Sequence, residues 1–240
     1  MRAQQRTVVV GGQRYTFSVR RSRRAKHLLL RVNMRGEIEV VVPWRAAYRE
    51  ADRFVREKRT WVTRTLAASA ERFRTIPHRR LESGEQLPVL GGMRLLSVVA
   101  AAGRRRARVG ESEGAVLVAL PQGQPVRPAL VRWYRQRAAR YFAARADLFA
   151  AQLGVVVSMV AVSQAKTQWG SCMPQKGRLS LHWGLLLGPR AVADYVIAHE
   201  VAHLRERRHT LLFWQLVGQL VPHYETRRAW LKRYGYTLIL

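Results

Sequence analysis

The segment AVADYVIAHEVAHLRERRH, residues 191–209, concentrates the side chains that can do chemistry. It holds His199, Glu200 and His203, and a third histidine, His209, follows ten residues after the first. On an α-helix, positions four apart differ by about 40° around the axis. His199 and His203 therefore point the same way and can share one ion. Ala193, Ile197, Val201 and Leu204 form a stripe that predicts the core-facing side. The two histidines lie roughly opposite that stripe, toward a cleft, and Glu200 falls between. Neutral imidazoles suit zinc, and a catalytic site keeps one position open for water. The ion lowers the pKa of that water, and a carboxylate one residue after the first ligand can take its proton and pass it to a leaving amine. The expectation is a Zn2+ cofactor held by His199, His203 and His209, with Glu200 as the catalytic base for attack of zinc-bound water on an amide carbonyl. His209 directly precedes Thr210, a predicted helix N-cap. Its spacing is that of the metzincin pattern, but Glu206 stands where that pattern has glycine. The turn that returns His209 must then be made differently, after Arg207 and Arg208.

The elements that position these residues are read from periodicity. A helix is predicted from about 190 to 207, a second from Thr210 to about Val221, and a third from about Pro222 to Gly235. A strand at 155–162 precedes them. GRLSLHW at 177–183 alternates, and is either an edge strand that pairs with an extended peptide or an ordinary interior strand. Further upstream, TVVV, RYTFSVR, HLLLRVN and EIEVVVP read as strands separated by Gly-Gly, an Arg/Ser/Lys stretch and Arg-Gly, and 45–72 reads as helical. The pattern then recurs: GGQRYTFSV at 11–19 is similar to GGMRLLSVV at 91–99, with a second helix at 127–152. Either the chain contains an internal duplication, or two strand meanders look alike. The predicted regions are 1–75 (meander plus helix), 76–124 (second meander) and 125–240 (catalytic), in an α+β fold with a β-rich N-terminal region.

KTQWGSCMPQKGRLSLHWGLLLGP, followed by DYVIAHEVAHLRERRHTLLFWQLVGQLVPHYETRRAWLKRYG, resembles the YgjP-like metallopeptidase family. RRSRRAKHLLLRV, GEIEVVVP and VREKRTWV resemble it too, so the likeness spans nearly the whole chain. It implies a zincin-like catalytic domain with an active-site helix, zinc on His199, His203 and His209, Glu200 as the catalytic residue, and a peptidase acting on a protein or peptide. Gln168, the pair His182 and Gly184, and His223 depart from the family's pattern around the substrate cleft.

Secondary candidates are His182, His223 and Tyr224, each able to stabilise an oxyanion or to serve only in packing. His182 and Tyr224 are carried as substrate-binding candidates. Cys172 is either a fourth soft ligand or a packed turn residue. As the sole cysteine it excludes an intrachain disulfide, which fits a cytoplasmic setting. The apolar run 153–162 is too short to span a membrane. With 48% apolar and 24% charged residues the chain is globular rather than disordered. The net charge of +28 has two readings. A basic surface binds nucleic acid non-specifically. Alternatively, since only five of the 43 basic residues are lysine, the charge reflects a compositional skew toward arginine. The alternative function is a nucleic-acid-associated protein whose metal site is structural or acts on bound proteins.

Overall fold

The computed structural model describes residues 4–32, 37–165 and 168–240. The Arg35-Gly36 break and the Lys166-Thr167 pair lie outside them. The chain divides into two compact units, Met1–Ile76 and Pro77–Leu240.

In the first unit, β1 (Gln4–Val10), β2 (Gln13–Ser22), β3 (Leu29–Val32) and β4 (Ile38–Pro43) form a sheet in the order β1-β2-β4-β3. Gly11 and Gly12, with φ of 58° and 78°, supply the two left-handed residues of the tight β1–β2 hairpin. Alternation along β2 buries Tyr15, Phe17 and Val19 against Val40 and Val42 of β4. Helices α1 (Tyr48–Glu57) and α2 (Arg59–Arg74) follow. The predicted single helical stretch is broken at Lys58, whose ψ of 14° leaves helical geometry. Ala51, Val55 and Val62 join the helices to the same core.

The second unit opens with the same arrangement. Strands β5 (Gln86–Val89), β6 (Gly92–Ala100), β7 (Arg108–Ser112) and β8 (Ala115–Leu120) are ordered β5-β6-β8-β7. In both sheets the outer pairs are antiparallel and the central pair is parallel. Leu96 faces Val116 as Phe17 faces Ile38. The second hairpin turns on Leu90 and Gly91, both at positive φ, one residue earlier than an alignment on the two Gly-Gly pairs implies. Neither sheet is the simple meander expected, because the fourth strand inserts beside the second, parallel to it, and displaces the third to the edge.

Helix α3 (Val126–Leu153) comes next, 28 residues or about 42 Å long. It ends on Gly154 in the left-handed conformation that closes helices. Its buried Leu130, Tyr134, Phe142 and Phe149 belong to one core that runs from the β5–β8 sheet to the last helices. The division expected between 124 and 125 therefore falls inside this unit. A third sheet contains β9 (Met159–Ser163), β10 (Gly170–Met173) and β11 (Arg178–His182), in the order β10-β11-β9. The 177–183 segment is thus interior, and β10 and β9 are the edges. Helices α4 (Arg190–Ala202), α5 (Leu211–Leu220) and α6 (Tyr224–Tyr234) complete an α+β fold. Among the described residues no helix is long and apolar enough to cross a membrane.

Candidate active site

Helix α4 buries Ala193, Ile197 and Val201 completely, as the stripe predicts. Its far end differs from the expectation. The helix stops at Ala202 rather than near 207, and the turn is made at 203–206 instead of after Arg208. Leu204 and Arg205 donate to carbonyls three residues back, those of Val201 and Ala202, which tightens the last turn. His203 Nδ1–H donates to the Glu206 carbonyl at 3.1 Å, and the Glu206 carboxylate accepts the Arg208 N–H at 2.8 Å. Glu206 thus holds the turn by hydrogen bonding in the place where the metzincin pattern uses glycine. Thr210 caps α5 by accepting the Phe213 N–H, and His209 is set immediately before that cap.

This turn brings the third histidine back. A ligand nitrogen from each of His199, His203 and His209 lies within 4.8 Å of the others, and the Nε2 atoms of His199 and His209 are 3.2 Å apart. All three rings rest on the fully buried Phe213, with centroids 4.4–4.9 Å from its ring. Trp214 stacks on His209, and Tyr224 stacks on Trp214. Burial, then the neighbouring His203 and His209, push the His199 pKa down to about 3. Its Nδ1 is buried without a hydrogen-bond partner, which further disfavours an imidazolium. Burial also lowers the pKa of His203. The bond from Nδ1–H fixes its tautomer and leaves the Nε2 lone pair free to ligate. Neutral, converging imidazoles are what a divalent metal requires, so the three residues fit such an ion.

Glu200 is 6% exposed, and burial raises its carboxyl from 4.5 to about 7. Its side chain lies directly over Gly170 of β10, where even one added methyl carbon would come within 2.7 Å of Cγ and 2.8 Å of Cδ. Around these groups is a cleft of about 380 Å³, lined by Gly170, Ser171 and Cys172 of β10, Pro174, Glu200, Arg207 and the three histidines. The Cys172 thiol is pushed up to about 11 by burial and then by the charge of Glu200, and is not part of the histidine cluster.

His182 and Tyr224 are not in the cleft lining. His182 turns its Nδ1 to accept the Gly184 N–H and packs between Trp169 and Trp183, and burial lowers its pKa. Tyr224 stands behind His209 in the Trp214 stack, and His223 occupies the left-handed N-cap of α6. Sequence reasoning missed several contributors. Gly170 and the rest of β10 form a wall of the cleft, Arg207 lines it, and Phe213 floors the three rings. It also missed Asp194 of α4, which is gripped by Arg145 through two bonds of 2.9 and 3.0 Å and by the Tyr141 hydroxyl, both from α3. The spacing Tyr141/Arg145, four residues apart on one helix face, was the available signal.

An α+β chain with a three-imidazole cluster beside a buried carboxylate has the makings of a metal-dependent hydrolase. The family model of the YgjP-like metallopeptidase domain matches residues 26–234, and the chain belongs to that family. The family implies a metal. None of the curated proteins matches the chain. Among solved structures, the metallopeptidase zymogen of Pyrococcus abyssi abylysin is similar at 20% identity and a TM-score of 0.35, over 38% of this chain and 93% of that one.

Proposed function

We propose that this protein is a zinc-dependent peptidase in which His199, His203 and His209 hold the ion and Glu200 carries the proton. When bound, the ion supplies Lewis acidity and lowers the pKa of a coordinated water. The rest is done by the chain's own residues. The Glu200 carboxylate accepts a proton from the attacking water and returns it to the leaving nitrogen of the cleaved amide. The free edge of β10, which forms one wall of the cleft, offers backbone donors and acceptors to an extended peptide. Arg207 adds a positive charge at the cleft.

The observation that carries this reading is the state of Glu200. It is one carboxyl, buried beside the three histidines, with its pKa moved by burial alone to about 7. No cation is paired with it among the described residues, and a buried carboxyl poised near neutrality suits proton transfer. The test is Glu200→Gln, which preserves size and leaves the histidines untouched. It should retain about one zinc per chain by elemental analysis while hydrolysis of an unfolded protein substrate falls by about 10²–10⁴-fold. Wild-type hydrolysis by a zinc-loaded Glu200→Gln protein rules the mechanism out.

A further inference from the structure

On the third sheet, the strand order puts β10 on one edge and β9 on the other. The β10 edge faces the histidine cleft, whereas the β9 edge belongs to a separate groove of about 850 Å³ formed with α3. Its apolar floor is Val131 of α3 with Val160 and Val162 of β9, all half-buried. Its rim carries Arg127, Arg132 and Arg135, all exposed. Among the described residues no acidic residue lines it. Arg127 bonds to the main-chain oxygen of Leu240 and Arg132 to the carbonyl of Ala107. Neither Arg132 nor Arg135 is paired with a side-chain carboxylate among the described residues. β9 is bonded to β11 on one side, and no strand covers its other side among the described residues.

We propose that this groove docks an extended, acidic segment of a partner polypeptide, which adds to the free edge of β9. Three features select that occupant. The open strand edge matches the backbone of an extended chain. Uncompensated arginines on a chain of net charge +28 match carboxylates. The apolar floor takes every second side chain, because a strand presents alternate residues to one face. The dimensions agree. The five residues of β9 span about 17 Å. The α3 stretch from Pro128 to Ala139 rises by a similar length, about 17 Å. Both suit a segment of about five residues. Single-stranded nucleic acid is the weaker fit, because among the described residues no aromatic ring lines the groove for bases to stack on. The site uses none of the cleft residues, so it stands or falls independently of the peptidase reading.

The test is fluorescence anisotropy with a labelled peptide alternating Glu and Val, using the full chain stripped of metal so that cleavage does not interfere. Binding should weaken by at least about tenfold in Arg132→Glu/Arg135→Glu. It should be nearly unchanged in Arg56→Glu/Arg59→Glu, which makes the same charge change on exposed residues of the first unit. N-methylation of alternate peptide nitrogens should also weaken it, because that removes the backbone donors needed for strand addition. Equal losses in the two double variants would reduce the effect to net charge. Indifference to N-methylation would remove β9 from the account. A short DNA strand that binds with the same dependence on Arg132 and Arg135 would assign the groove to nucleic acid. Any of these, or no peptide binding, overturns the proposal.

Discussion

Replacing Gly170 by alanine isolates the contact that places the proposed base. Gly170 does not have a positive φ, so alanine is tolerated by the backbone and the whole effect must come from the new methyl group. That carbon would meet Glu200 Cγ at 2.7 Å and Cδ at 2.8 Å, and Oε1 closer still. Ordinary contact begins near 3.4 Å, so the carboxyl or the strand must yield by roughly 0.7–1 Å. The strand is poorly placed to yield, because Gly170 pairs with the fully buried Leu181. A misplacement of about 1 Å costs about 10²-fold in rate, equivalent to about 2.7 kcal/mol of barrier. The nearest atoms to the added carbon all belong to Glu200, so the histidines should still bind metal. The assay is zinc content together with kcat on an unfolded reporter protein. Full activity with full zinc would show that Glu200 has no exacting position to lose. Loss of zinc together with activity would move the damage from Glu200 to the histidines. Either result refutes the reasoning.

Glu200 should also govern the pH dependence of the metal-free protein. Its folded pKa, about 7 against 4.5, is raised, so its contribution is fully present below 4.5 and is lost as pH rises through 7. Glu200→Gln should therefore be more stable than wild type by up to about 3 kcal/mol at pH 8 and about equal at pH 4, by urea unfolding without metal. A pH-independent difference contradicts this. His199 has the opposite sign: its pKa is lowered from 6.5 to about 3, so stability should fall as the metal-free protein is acidified through that range. Arg145→Met should cost about 2 kcal/mol, because Asp194 loses two charge-assisted bonds while Tyr141 remains. Denaturant unfolding would measure it. Thr210→Ala should cost about 1 kcal/mol and weaken metal affinity, since His209 is held next to that cap. Zinc titration would detect the second effect.

What was legible in the sequence was local. His199, His203 and the buried stripe follow from one helical period, and Thr210 as a cap follows from residue type and position. What was not legible depended on partners distant in sequence. Glu200 lies against a glycine on another element. The strand beside the cleft is β10 rather than the more regular β11, because alternation marks a strand without saying where it lies in a sheet. His182 alternates toward the right neighbourhood, yet its ring is taken up by Gly184 and two tryptophans. The turn before His209 was expected after Arg207 and Arg208, because helical periodicity carries α4 to 207 and no residue type marks 203–206 as a turn. A carboxylate and an imidazole accepting and donating to backbone achieve the same reversal.

Helix α3 accounts for how the sheet arrangement shared by both units is joined to the histidine site in the second. In the first unit the four strands are followed by two short helices. In the second, the helix that follows is long enough to serve the sheet and then continue past it. Tyr134 donates to the Pro88 carbonyl of β5, and Arg137 pairs with Glu111 of β7. Two turns later Tyr141 and Arg145 hold Asp194 of α4, and the last carbonyl of α3, that of Leu153, accepts from Arg205 in the turn after His203. The same helix thus grips the histidine-bearing element on both sides of His199 and His203 while its other end is bonded to the sheet. Two histidines and a carboxylate can be spaced correctly by α4 alone. Holding α4 against β10 with the accuracy that Glu200 needs draws on the sheet and α3 as well, and all of these lie within the one compact unit Pro77–Leu240.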